Sequence, residues 1–142
     1  MTVSLSVPPV RPDPDHIPPE TRRELLGLFV TGLLFWTNVT ALLPTIPLYI
    51  RELGATEAQI GLVMGAFAIG LLLTRPRFGK LADLRSRVLV LRIGVIVATI
   101  APLFYLAAST VPLLFFVRVF HGISLAAFTT AYSTLVTDIS PA

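Results

Sequence analysis

The sequence predicts an all-α membrane protein with four transmembrane helices, and three observations carry that expectation. Apolar residues make up 54% of the 142-residue chain and charged residues only 13%, with a mean hydropathy of +0.82. Soluble domains hold about 45–50% apolar and about 25% charged residues, so this composition departs from theirs in both directions. The charges present are gathered into short segments between long uncharged runs. Each run approaches or exceeds the roughly 20 apolar residues that cross a bilayer core. Four buried helices of a soluble domain would each need a polar face, and almost no charge falls within the four runs. A nucleic-acid binder and a disordered chain are excluded on the same ground. The net charge of +3 and pI near 10.0 would mark an anionic partner in a soluble protein. Here the basic residues are mostly loop residues and report orientation. There is no cysteine, hence no disulfide, thiolate metal site or thiol nucleophile. The sequence also holds no phosphate-binding loop, metal-ligand set or nucleophile arrangement. No enzyme activity, metal or cofactor is therefore expected.

Residues 1–23 hold Pro8, Pro9, Pro12, Pro14, Pro18 and Pro19, half of the 12 prolines. That density breaks a helical ladder and predicts an extended, disordered cytoplasmic tail. The tail lacks the basic start and long apolar stretch of a signal peptide. Residues 24–142 form the membrane domain. The first span, near 25–50, is uncharged from Leu25 to Ile50. A short loop, Arg51 to Glu57, leads to Thr56 as N-cap with Gln59 as its capping-box partner. The second span, near 59–80, carries Gly61-x-x-x-Gly65 with Ala66, Ala68 and Gly70, a pattern for close helix approach. Arg75, Arg77, Lys80, Arg85 and Arg87 follow, with Asp83 as the acid among them. The third span lies near 88–108, with Arg92 placed to snorkel. Ile93–Val117 and Val119–Thr137 are uncharged and too long together for one crossing. Ser109-Thr110-Val111-Pro112 divides them, because proline is tolerated in a first helical turn. The fourth span is then near 111–137. The strongly basic loop between spans two and three belongs in the cytoplasm of a plasma or inner membrane. Both termini then lie on that side, in agreement with Arg22 and Arg23.

A bilayer offers nothing to a polar side chain, so those inside the spans need partners or a water-filled cavity. Arg118 is the foremost case, set among Leu114, Phe115, Phe116 and Val117. At about 100° per residue it shares a face with His121, Gly122, Thr129, Tyr132 and Ser133. That stripe predicts a cavity lining, against the alternative of a structural pairing with an acid elsewhere. In span one, Gly27, Thr31, Asn38, Thr45 and Tyr49 fall within about 40° of one another on an ideal helix. They either line a pathway or hold helices together. No Asp or Glu lies deep in any span.

The loop after span two, Gly79-Lys80-Leu81-Ala82-Asp83-Leu84-Arg85-Ser86-Arg87, resembles the G-x-L-A-D-R-x-G-R-[RK] signature of the major facilitator superfamily. Its place between the second and third helices also matches. Arg118-Val119-Phe120-His121-Gly122 is similar to that superfamily's R-x-x-Q-G element in helix four. Thr137-Asp138-Ile139-Ser140-Pro141 resembles the acidic end of helix four, and Leu43-Pro44-Thr45-Ile46-Pro47-Leu48-Tyr49 resembles the multidrug-efflux-like branch. Leu84, Ser86, Val88 and His121 depart from the usual residues. The resemblance spans residues 24–142. It implies helices 1–4 of a twelve-helix fold that moves a small solute by alternating access, as a secondary-active exporter drawing on a proton gradient. It implies that Gly79, Asp83, Arg87 and Asp138 form a conformational latch, with Arg87 paired to Asp138. Asp138 lies about 160° from Arg118 on an ideal helix, so the two charges serve different sites. Arg118, His121, Asn38, Thr31 and Tyr132 are the candidate pathway residues.

The chain reads as an N-terminal fragment whose partners are the bilayer, an unidentified small solute and helices 5–12 of the same transporter. It would be inactive alone. One alternative is a small four-span transporter working as an oligomer; such proteins depend on an acid in the first span, which Leu25–Ile50 lacks. The other is a non-transporting membrane subunit that docks through the proline-rich tail.

Overall fold

A computed structural model describes residues 18–139; residues 1–17 of the tail expected over residues 1–23, and the end at Ser140-Pro141-Ala142, lie outside them. Four helices follow in order: α1 (Pro19–Glu52), α2 (Glu57–Leu84), α3 (Arg87–Ala107) and α4 (Val111–Ile139). All four are long and apolar enough to cross a membrane. Helix α1 starts earlier than its expected span, and Pro19–Arg23 are helical, not extended. Proline suits the first helical position, where its missing N–H is an orphan anyway and its φ is already helical. Glu20 adds a negative charge to that first turn. The capping box at Thr56 forms in both directions, the Gln59 N–H donating to the Thr56 hydroxyl and the Thr56 N–H to Gln59 Oε1. Gly54 takes φ 79° in the α1–α2 turn, a conformation that favours glycine. The break at residues 108–110 is present, with Pro112 in the first turn of α4. Pro44, Pro47, Pro76 and Pro102 sit inside helices that continue past them, as membrane helices allow.

Helix α4 is the centre of the bundle, packed mainly on α2 and α3 and more lightly on α1. Its crossings depend on glycine. A Cβ on Gly70 would lie 1.8 Å from the Val119 carbonyl oxygen, and one on Gly122 would lie 2.0 Å from that of Phe67. On the other side, Gly94 of α3 faces the Phe128 backbone. Of the small residues expected to allow close approach, Ala66 and Gly70 meet α4, whereas nothing among the described residues lies within 4 Å of a Cβ on Gly61 or Gly65. The packed face of α2 carries Ile60, Val63, Ala66 and Gly70, about 180° from Gly61 and Gly65 at 100° per residue. Helix α1 meets α4 through rings. Phe35 stacks on Phe128 with centroids 3.7 Å apart, and Phe128 stacks on Tyr132 at 4.9 Å. The Tyr132 hydroxyl fills the space that Gly32 leaves open.

Two apolar clusters result. One gathers Phe35, Val39, Ala82, Val90, Leu91, Ala98, Ala127, Phe128 and Ala131. The other gathers Ile46, Ile50, Ile60, Val63, Tyr105, Ala108, Leu114 and Val117. Along α4, residues 118–124 lie between them. Large apolar side chains such as Leu26, Phe29, Leu34, Leu72, Leu103 and Phe116 remain exposed, as a lipid-facing surface requires.

Candidate functional site

The stretch of α4 between the two clusters carries the polar site. Arg118 is 3% exposed and His121 0% exposed. Helix periodicity turns both toward α2 and α3. The Arg118 guanidinium lies over the Phe67 ring, 5.1 Å from its centroid, and Nη2 donates to the Met64 sulfur at 3.4 Å. The His121 ring stands edge-on to Phe67, and its Nδ1 is 3.3 Å from the Tyr105 hydroxyl. The carboxylates in ion pairs among the described residues lie elsewhere, on Arg51 and Arg87. Among the described residues, Arg118 Nε and His121 Nε2 are buried without a hydrogen-bond partner. Each orphaned buried polar group costs roughly 1–3 kcal/mol. A polar cluster left incomplete at such a cost marks a working site more readily than a structural one.

The α4 stripe therefore divides. Arg118 and His121 form the buried site, while Gly122 is a backbone contact with α2. Thr129 is half-buried, Ser133 is exposed, and Tyr132 turns to Gly32 of α1. The α1 stripe instead faces open space against α3. Thr31 and Asn38 line a cleft of about 470 Å³ together with Phe35, Val95, Thr99 and Pro102. Asn38 Oδ1 is buried there with no hydrogen-bond partner among the described residues. Thr45 and Tyr49 line a second cleft of about 660 Å³, which Tyr105 and Pro102 also wall. Tyr49 donates to the Ala108 carbonyl at 2.9 Å. Met64, Phe67 and Tyr105 were not singled out by sequence. Tyr105 offered one signal, a hydroxyl within an apolar run; Met64 and Phe67 offered none.

At the α2–α3 end, Arg87 donates to Asp138, joining the start of α3 to the end of α4. Asp83 is exposed on the last turns of α2. Gly79 has nothing within 4 Å of a Cβ, so the described helices place no backbone against it. Arg87 and Asp138 are 37% and 52% exposed, so the pair is screened and worth about 0.2–1 kcal/mol. Arg87→Asp and Asp138→Arg are each expected to lower the melting temperature by about 2 °C, and the double swap to recover it. Additive losses in detergent melts would show that the two side chains do not interact.

Four apolar helices, each long enough to cross a bilayer, with a buried arginine between them define a multi-pass membrane protein. The chain belongs to the major facilitator superfamily, whose family profile, Major Facilitator Superfamily, matches residues 28–142. It is 27% identical over 119 residues to the quinolone resistance protein NorA of Staphylococcus aureus strain Mu50, covering 84% of this chain and 31% of that protein. It is 28% identical over 119 residues to an uncharacterized MFS-type transporter of Methanocaldococcus jannaschii, again covering 84% of this chain and 31% of the relative. The chain thus spans about a third of the length of the curated relatives it matches. No solved structure matches it.

Proposed function

We propose that these four helices are the opening part of a secondary-active exporter, moving a small solute by alternating access and driven by a proton gradient. The observation that carries this reading is Arg118, a guanidinium 3% exposed in the second turn of α4 whose Nε has no hydrogen-bond partner among the described residues. A bundle that needed only to pack would place an apolar side chain there. Arg118 and His121 form the inner part of the pathway, Thr31 and Asn38 its wall on α1, and Tyr132 the contact that positions α1 against α4. Helices 5–12 supply the opposite wall. The basic α2–α3 loop faces the cytoplasm of a plasma or inner membrane, with both termini on that side. Gly79, Asp83, Arg87 and Asp138 form the latch at that face, with the Arg87–Asp138 pair as its fixed part and Asp83 free to meet a later helix. The efflux direction draws on the likeness to a quinolone resistance protein.

The test is quinolone extrusion by the complete transporter in cells stripped of their own pumps. Arg118→Ala is expected to cut extrusion at least about tenfold at unchanged membrane level, the signature of a lost functional contact. Normal extrusion by a well-inserted Arg118→Ala protein would remove Arg118 from the pathway. Asp83→Asn is expected to shift the inward/outward balance, read as a changed pattern of cysteine-probe labelling on the two membrane faces. Unchanged labelling on both faces would end the latch assignment.

A further inference from the structure

Helix α3 carries a cation on its lipid-facing side. Arg92 is exposed. At about 100° per residue, Val88, Leu89, Ile96 and Leu103 fall within about 60° of it, whereas the buried Val90, Gly94, Ala98 and Ala101 fall about 120° or more away. The row around Arg92 is apolar and open, with Ile96 56% and Leu103 61% exposed. Arg92 lies about 7.5 Å along α3 from its first residue, Arg87. Helical side chains lean toward the N-terminus, so the guanidinium reaches back to the headgroup level of the leaflet that bears the α2–α3 turn. Arg85 stands in that turn, directly before the Ser86 cap. Leu84 beside it is 83% exposed, and Val88 is 44% exposed. Both occupy positions where the superfamily signature has a basic residue. Apolar side chains left open at helix ends favour contact with lipid over water.

The charges of this end are unbalanced. Arg75, Arg77, Lys80, Arg85 and Arg92 make no ion pair among the described residues. Arg87 takes Asp138, which leaves Asp83 as the acid of this stretch. The first turn of α3 holds no acid, although a helix N-terminus favours negative charge. Two arginines, an acid-free helix start and an open apolar row together suit a ligand with an anionic head and an apolar tail. We propose that Arg92 and Arg85 form a headgroup site for an anionic phospholipid, with the phosphate held by the two guanidinium groups and an acyl chain along Ile96 and Leu103. Guanidinium donors match phosphate oxygens in pairs, and basic residues beside a span attract anionic lipid. Arg92 lies within the span, so the orienting role of the loop cations does not account for its place among lipid-facing residues. The site depends neither on the transport pathway nor on which side of the membrane the turn faces, so it and the proposed function can fail separately.

The chain's single tryptophan, Trp36 on α1, is 47% exposed and serves as a remote reporter. Trp36→Phe combined with Ile96→Trp moves the reporter to one turn along α3 from Arg92. Each full chain is placed in phosphatidylcholine bilayers containing phosphatidylglycerol, with brominated acyl chains on one lipid or the other. Quenching of fluorescence then reads which lipid lies beside the tryptophan. With Ile96→Trp, phosphatidylglycerol is expected to be favoured at least about fivefold, and with Trp36 the two lipids are expected to quench nearly alike. Arg92→Gln is expected to abolish the preference and Arg85→Gln to reduce it. Arg77→Gln is expected to leave it unchanged, since the Arg77 guanidinium turns back on its own helix and donates to the Leu73 carbonyl at 3.1 Å. Equal quenching by both lipids with Ile96→Trp, or an equal loss with Arg77→Gln, would overturn the site and leave only a diffuse field of loop charge. Added inorganic phosphate is expected not to displace the lipid; displacement would mark a site for free phosphate and overturn the lipid assignment.

Discussion

Alanine at Gly70 or Gly122 is expected to destabilise this bundle more than a methyl added at any other glycine in α2 or α4. The two residues face each other's helix across the α2–α4 crossing. The added carbon would lie 1.8 Å from the Val119 oxygen in one case and 2.0 Å from the Phe67 oxygen in the other. Ordinary contact lies near 3.4 Å or beyond, so the helices must part by more than an ångström. The obstruction is backbone and cannot rotate aside. Overpacking a core typically costs about 1–3 kcal/mol, and a backbone clash belongs at or above the top of that range. Loss of contact matters more here than in water, because association of membrane helices rests on close packing. Gly61→Ala and Gly65→Ala supply the control, since both positions open on empty space. Circular dichroism melts in detergent should separate the two pairs clearly. Equal melting of all four variants would mean that the crossing is not glycine-dependent.

Arg118→Met is expected to make the four-helix protein more stable while destroying transport by the complete transporter. Methionine is similarly long and unbranched and can fill the volume beside Phe67 and Met64. It removes a buried charge and one of the orphaned nitrogens. An arginine at the helix centre costs roughly 2.5–3.5 kcal/mol on insertion scales, and exchanging buried ions for apolar residues often gains about 1–4 kcal/mol. Against this stands the contact with Phe67, since a desolvated cation–π pair is worth about 2 kcal/mol. The balance favours methionine by about 0.5–1.5 kcal/mol. The same melts measure it. A lower melting temperature would make Arg118 a structural element of the α2–α4 contact, and its functional assignment would fall with it.

The helices were legible because charge is so scarce. Arg51–Glu57 and the basic loop delimit them without reference to packing, and Thr56 with Gln59 announces the start of α2. Pro18-Pro19 misled, since proline counts against a helix interior and for a helix start, and only the following residues decide. The small residues of α2 were only partly informative, since Ala66 and Gly70 meet α4 while Gly61 and Gly65 do not. Gly61, Gly65 and Gly70 look alike in sequence, but which face meets a neighbour is set by residues of α4 far along the chain, Val119 and Gly122. Arg118 and His121 stood out as polar residues in apolar runs. Their partners did not, because Met64 and Phe67 resemble every other apolar residue of α2. Tyr132 was grouped with Arg118 by periodicity, yet the structure gives it a separate role against Gly32.

The central position of α4 bears on how the chain is made. Half of its apolar window is buried, against 17% for α1, and it is the last of the four helices to leave the ribosome. Helices α2 and α3, which touch each other little, must wait side by side in lipid until it arrives. The costliest side chain to insert, Arg118, enters a membrane where Phe67 and Met64 already stand to receive it. Biosynthesis of this bundle therefore closes on its core.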